Sequence, residues 1–189
     1  LARSSGPTDW GVIATLPEGM EGTRPLSHAT NWFVAELLGG GQQAATTVAA
    51  WLPVVATLAL GVVLYKLATV LTDDPRVGIA SVAVLATIPA HAVYTGIGFI
   101  DHQIHQYFWL GVTVLSLAWL AVDLRDWREI EPSDSVALRV HLTNGWTWVA
   151  AVGLSIGVGF SAHAWGGSPL VFIPIAGYLG LRTAMDART

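Results

Sequence analysis

The chain has 189 residues, of which 53% are hydrophobic and 12% are charged, and its net charge at pH 7 is −4. A soluble domain carries about a quarter charged residues, so this composition indicates a membrane protein. No basic patch is available to neutralise phosphates, which argues against a nucleic-acid partner. The chain has no cysteine, which excludes a disulfide scaffold and a thiolate nucleophile.

Four stretches contain no Asp, Glu, Lys or Arg: residues 44–65, 77–100, 103–122 and 142–181. About 20 apolar residues cross a hydrocarbon core as a helix, so the last stretch is long enough for two crossings and must break near Pro169. We therefore predict an all-α membrane protein, a polytopic helical bundle with residues 44–189 as its transmembrane domain. The five predicted spans are 45–70, 77–98, 103–122, 145–163 and 169–181.

The segments between these spans are predicted from their composition. Residues 1–43 read as an external loop that contains a short amphipathic interfacial helix, from about Ala29 to Leu38, ended by three glycines. Residues 72–76 read as a tight polar turn and residues 123–141 as a solvated loop. Pro89 is expected to kink the second span. Because the first residue is Leu, we expect the chain to be an excerpt of a longer protein.

The basic residues set the expected orientation. Placing the 72–76 turn, the 123–141 loop and the C-terminal tail on one side collects seven Lys and Arg residues and leaves Arg3 and Arg24 on the other. Because basic residues favour the cytoplasmic side, the N-terminal loop and the segment around Asp101 are expected to lie outside. The protein would then sit in the cell membrane with its active face external.

The segment from Asp101 to His105 holds the strongest candidate site. An ionisable residue at a membrane boundary is costly, which makes it a functional hypothesis. Asp101 and His105 are four residues apart, so on one helix they would share a face and could bind one cation, with Gln103 between them. Oxygen and imidazole ligands suit Mn²⁺ or Mg²⁺. The structural alternative is that Asp101 caps the following helix, and the two roles are compatible.

Further candidates lie on the same predicted face, and each has a structural alternative. His28, beside Arg24, is a candidate contact for an anionic group or an ordinary loop residue. His91 is a ligand or a packed core histidine. His163 and Trp165 form an external corner, where tryptophan is also expected from the interfacial aromatic belt.

Three motifs together resemble the membrane-embedded catalytic subunit family of the oligosaccharyltransferases, in its archaeal form. Residues 88–103, IPAHAVYTGIGFIDHQ, look like the family's second acidic motif, with Pro89 twelve residues and Gly98 three residues before Asp101. Residues 164–167, AWGG, resemble its Trp-Gly-Gly turn. Residues 17–19, PEG, and 25–28, PLSH, resemble the end of its first external loop.

The resemblance implies a C-type glycosyltransferase fold and a reaction. A glycan would pass from dolichyl phosphate or diphosphate to the Asn of an Asn-X-Ser/Thr sequence in an acceptor polypeptide. It also implies a divalent metal held by Asp101, with Gln103 in the second ligand position, where the family has Asp, Glu or His. Tyr94 stands where the family usually has Arg, and joins the lipid-phosphate candidates.

The resemblance also implies that parts of the enzyme lie outside this chain. The first acidic motif would precede Leu1, and the acceptor-binding Trp-Trp-Asp-Tyr-Gly motif would follow Thr189. Two other functions stay open. One is a different C-type glycosyltransferase that uses polyprenyl-phosphate sugars. The other is a non-catalytic transporter or scaffold fragment, although transporters place ionisable residues at mid-membrane rather than at a boundary.

Overall fold

The regular secondary structure is entirely helical in the part of the chain that the computed structural model describes, which is residues 6, 8, 25–98, 103–164 and 169–186. This confirms the all-α class. The described helices, in chain order, are α1 (Pro25–Leu37), α2 (Gly41–Thr72), α3 (Pro75–Thr87), α4 (Pro89–Tyr94), α5 (Gln103–Ile130), α6 (Asp134–Thr143), α7 (Gly145–Ala164) and α8 (Pro169–Asp186).

Three of these helices, α2, α5 and α7, are long and apolar enough to cross a membrane, with 32, 28 and 20 residues. They coincide with the predicted spans 45–70, 103–122 and 145–163, and they indicate an integral membrane protein. The other two predicted spans, 77–98 and 169–181, are not among these three helices. The predicted spans 77–98 and 169–181 correspond to shorter apolar helices, because one is divided at Pro89 and the other, α8, has 18 residues with Pro174 inside it.

The break before Pro89 ends α3 completely, where the sequence predicted a kink. Ile88 has an extended backbone, with φ −73° and ψ 113°, because a following proline disfavours the helical conformation. The broken pair nevertheless runs back along α2. Gly78 lies against Thr69 of α2, and the Gly98 N–H donates to the Ala50 carbonyl at 3.2 Å. From Thr69 to Ala50 the α2 axis covers about 29 Å.

The predicted solvated loop at 123–141 is wrong. Helix α5 continues to Ile130, and α6 occupies Asp134–Thr143. Charged residues are as compatible with an exposed helix as with a loop. Here Arg125 lies 3.8 Å from Glu129 one turn later, a spacing that supports a helix.

The glycine run and the polar turn lie where the sequence predicted them. Gly39, Gly40 and Gly41 all have positive φ, between 71° and 101°, a conformation that glycine adopts without the usual steric cost. Gly39 and Gly40 lie between α1 and α2, and Gly41 is the first residue of α2. Helix α1 begins at Pro25, before the predicted start. In the polar turn, the Asp74 side chain accepts from the Arg76 N–H at 2.8 Å and so caps α3.

Helix α5 packs between α2 and α7. It runs antiparallel to α7, since Trp109 meets Phe160 edge-on at 4.5 Å and Thr113 lies against Gly157. Helix α1 packs on both α2 and α7. We call the end that holds α1, the start of α2, α4 and the start of α5 the outer end. The opposite end, with Thr72, Ile130 and α6, is the inner end.

Candidate functional site

The outer end gathers buried polar atoms that make no hydrogen bond within the described part of the chain. They belong to four different helices, α1, α4, α5 and α7. Native proteins pair most buried polar atoms, so this set makes the outer end the candidate site. The atoms are Ser27 Oγ, Trp32 Nε1, His91 Nε2, Gln103 Oε1 and Ser161 Oγ.

His91 combines this unpaired nitrogen with an apolar groove. The residue is 8% exposed, held on α4 directly after the break at Pro89. It lies at one end of a cavity of about 810 Å³ between α2, α3 and α4. The other lining residues are Thr57, Leu58, Gly61, Val62, Tyr65, Ile79, Val82, Ala83, Leu85, Ala86, Ala92 and Thr95. The groove is therefore mostly apolar, with the imidazole of His91 at one end.

The first residues of α5 hold the predicted metal ligands that the structure describes. Gln103 is half-buried with its Oε1 unpaired, and His105 is buried. Positions two apart on a helix do not face each other, so this geometry favours one of the two as a ligand beside Asp101. Asp101 itself lies outside the described residues. Among those described, no three His, Asp or Glu side chains gather as a metal site.

The remaining predicted site residues are distributed as follows. Arg24 and Trp165 lie outside the described residues. His28 is exposed on α1, and Tyr94 is half-buried as the last residue of α4. His163 is exposed in the last turn of α7, with Nδ1 at 2.8 Å from the Gly159 carbonyl. All the described candidates thus belong to helices that lie at the outer end or have one terminus there: His28, His91, Tyr94, Gln103, His105 and His163.

The sequence missed a buried polar cluster at the inner end. His141 Nδ1 lies 2.6 Å from Asp123 Oδ2, and the Thr147 hydroxyl donates to the His141 carbonyl at 2.6 Å. The cluster joins α5, α6 and α7, and its side chains are satisfied by one another. Its one signal in the sequence is a lone histidine in a charged segment, whose partner stands 18 residues earlier.

Comparison with known proteins gave no match: no family model, curated protein or solved structure corresponds to this chain.

Proposed function

We propose that this chain is part of a membrane glycosyltransferase that moves a lipid-linked oligosaccharide from dolichyl phosphate or diphosphate to Asn in Asn-X-Ser/Thr, as in protein N-glycosylation. The observation that carries the proposal is the set of unpaired buried polar atoms at the outer end, one of which belongs to His91, a residue that lines an apolar groove. The motif at residues 88–103 runs through this same region, from the end of the groove to Gln103.

The groove suits the lipid part of such a substrate. Its walls include Leu58, Val62 and Ile79, apolar side chains that are each more than 60% exposed. An isoprenoid chain lying there would cover them, which the hydrophobic effect favours. His91 and Tyr94 would then be placed to contact the lipid phosphate, with His28, Arg24, His163 and Trp165 as further candidates around it.

The proposed reaction is a substitution at the first sugar carbon. The amide nitrogen of the acceptor Asn forms a bond to that carbon and loses a proton, which the departing lipid phosphate takes up. The bond from the carbon to the phosphate oxygen breaks, and the lipid phosphate leaves with the electron pair. A divalent cation such as Mn²⁺ or Mg²⁺ would help to orient and activate the acceptor amide. Asp101 would hold it, with Gln103 or His105, and the unpaired Gln103 Oε1 is a fitting neutral oxygen donor.

The same proposal extends to the membrane crossings. The broken pair α3–α4 lies along about 29 Å of α2, close to the ~30 Å of a hydrocarbon core. We therefore include it as a divided crossing, with α8 as a further one. The outer end would face the outside of the cell membrane.

Transfer to a sequon peptide tests the proposal in the full-length protein that contains this chain. We expect Asp101→Ala to reduce the glycopeptide yield at least 100-fold at saturating divalent metal, since outer-shell losses at metal sites already cost 10–100-fold. Gln103→His should keep or raise the yield, because imidazole is the better ligand.

Asp134→Asn is the matched control. Asp134 is an exposed carboxylate at the inner end, and its loss should leave the yield unchanged. Near-parental transfer by a folded Asp101→Ala protein would show that Asp101 only caps α5. Sugar transfer to lipid or free-sugar acceptors, with none to the peptide, would instead establish a different polyprenyl-phosphate glycosyltransferase.

One observation favours a second candidate, a transporter fragment. Transporters bind substrates at helices that are broken within the membrane, and the chain has such a break beside an unpaired buried His91. Substrate uptake into vesicles containing the full-length protein, with no glycopeptide formed, would support this candidate.

A further inference from the structure

A second cavity, of about 630 Å³, lies at the inner end between the last turns of α2 and the inner half of α5. It shares no lining residue with the His91 groove. The indole ring of Trp119 forms part of its α5 wall. Five charged side chains also line it, two cationic and three anionic: Lys66, Asp73, Asp123, Arg125 and Asp126.

The three charges on the α5 wall are balanced by neighbours. Arg125 lies 2.8 Å from an oxygen of Asp126 and 3.8 Å from an oxygen of Glu129. Asp123 lies 2.6 Å from the His141 ring nitrogen. Because this wall presents no unbalanced charge, the charges available to a ligand are those of the α2 wall.

The two charges on the α2 wall have no ion-pair partner in the described part of the chain. The Lys66 ammonium lies 5.9 Å from the ring centre of its neighbour Tyr65. Asp73 ends α2 in a left-handed conformation, and its backbone N–H donates to the Thr69 carbonyl, which leaves its exposed carboxylate free. The next carboxylate, that of Asp74, caps α3 and does not line the cavity.

Lys66 and Asp73 lie on one face of α2 at different depths in the expected membrane. Seven residues separate them, which is about two helical turns and about 10 Å along the axis. Lys66 is the only charged residue of α2 and lies on the membrane side of Asp73, which follows the last residue of the helix. A headgroup layer is about 5–8 Å deep, and lysine side chains extend towards the surface, so both charges reach this layer.

We propose that this cavity binds a zwitterionic phospholipid with a primary-amine headgroup, such as phosphatidylethanolamine, from the leaflet at the inner end. In such a lipid the phosphate adjoins the glycerol and the amine is outermost, which is the order of Lys66 and Asp73. The phosphate would lie at Lys66 and the ammonium group at Asp73. Trp119 would lie at the headgroup level, where tryptophan is enriched. The site requires only that the chain is a membrane protein, and it does not depend on the proposed transfer reaction.

Lipid titration of the full-length protein in detergent tests the site, with native mass spectrometry as the readout. We expect phosphatidylethanolamine to bind about fivefold more tightly than phosphatidylglycerol, which lacks the amine, since an exposed ion pair contributes up to about this factor. Phosphatidylcholine should also bind less tightly, because its trimethylated nitrogen donates no hydrogen bond to Asp73. Asp73→Asn should remove the preference for phosphatidylethanolamine, and asparagine tolerates the left-handed conformation of this position.

Lys66→Gln is the second variant, and it should weaken the binding of phosphatidylethanolamine and phosphatidylglycerol alike, because both lipids carry the phosphate. The matched control is Asp134→Asn, which removes an exposed inner-end carboxylate that does not line the cavity and should keep the preference. Equal binding of the three lipids, or a preference that survives in Asp73→Asn, would overturn the proposal. Competition by soluble phosphoethanolamine at the same concentration would show a soluble-ligand site and would overturn the assignment to a lipid.

Discussion

Two of the three buried histidines in the described part of the chain, His91 and His141, are in opposite situations. His141, at the inner end, has Asp123 and Thr147 within hydrogen-bond reach. His91, at the outer end, has a buried Nε2 that is unpaired within the described residues. An unpaired buried polar atom costs free energy, whereas a satisfied network fixes a local structure. The inner histidine is therefore held by its neighbours, and the outer one is the histidine for which we propose a bound partner.

The structural role of His141 leads to a prediction for its partner. Asp123→Asn keeps the shape of the side chain but removes the charge from a hydrogen bond in which both side chains are largely buried, at 7% and 18% exposure. We expect the free energy of unfolding to fall by about 1.5–3 kcal/mol, the usual contribution of a hydrogen bond to a charged group. Unfolding in detergent, followed by circular dichroism, measures the change.

Asp126→Asn is the control on the same helix. Its side chain is about half-exposed in its pair with Arg125, and such exposed pairs contribute about 0–1 kcal/mol. If both variants lost the same small amount of stability, the Asp123–His141 pair would have no special role.

At the residue scale, the sequence predicted where helices are interrupted better than it predicted which side chains contact one another. The break at Pro89 follows from its missing N–H and its effect on Ile88, and the positive φ of Gly39–Gly41 follows from the absence of a Cβ. Both effects are local. The Asp123–His141 contact and the unpaired state of His91 depend on how distant helices pack. Hydropathy along the chain carries no information on either.

At the scale of helices, the close approach of α5 and α7 depends on small residues. A Cβ placed on Gly157 would lie 2.6 Å from Thr113 Oγ1 and 3.0 Å from the Thr113 backbone nitrogen. Small residues allow transmembrane helices to approach closely, and packing is what holds such helices together in lipid. The close approach of α5 and α7 can accordingly be tested by a substitution at Gly157.

Gly157→Ala should therefore destabilise the bundle. The added methyl group meets backbone atoms of α5, so the helices must separate, and overpacking of this kind costs about 1–3 kcal/mol. Gly159→Ala, two residues further along α7, is the matched control, because a Cβ there has no neighbour within 4 Å. Equal unfolding midpoints for the two variants in detergent would refute the packing described for this interface.

Two predicted elements differ from the observed helices, and the reasons lie in local helix chemistry. The 123–141 segment was assigned to a loop from its charge alone, but ion pairs such as Arg125–Glu129 stabilise an exposed helix. The 77–98 segment has the length of a span, and composition does not reveal that Pro89 ends the helix completely. The lengths of the uncharged apolar stretches therefore predicted the long helices α2, α5 and α7. They did not predict the charged helix at 123–141 or the division of the 77–98 segment at Pro89.

At the scale of the whole molecule, the chain direction fixes which features share a side. Helix α5 meets α7 antiparallel and runs in the same direction as α2, since Gly111 lies against Leu60 and Val63 of α2 while the turn before α5 is bonded to Ala50. The chain must therefore return along the bundle between α2 and α5, and α3–α4 makes this return. Gly98 and Ser133 consequently lie at opposite ends.

This arrangement predicts a specific labelling pattern. Seven of the nine basic residues are expected at the inner end, and basic residues favour the cytoplasm. The chain has no cysteine, so single substitutions at two exposed positions, Ile97→Cys and Ser133→Cys, give an unambiguous readout. In intact cells, a membrane-impermeant maleimide should label Ile97→Cys, whereas Ser133→Cys should react only after permeabilisation. Labelling of Ser133→Cys alone in intact cells would invert the orientation. It would place Asp101 and the His91 groove on the cytoplasmic side, and the proposed transfer reaction could then not occur at the external face.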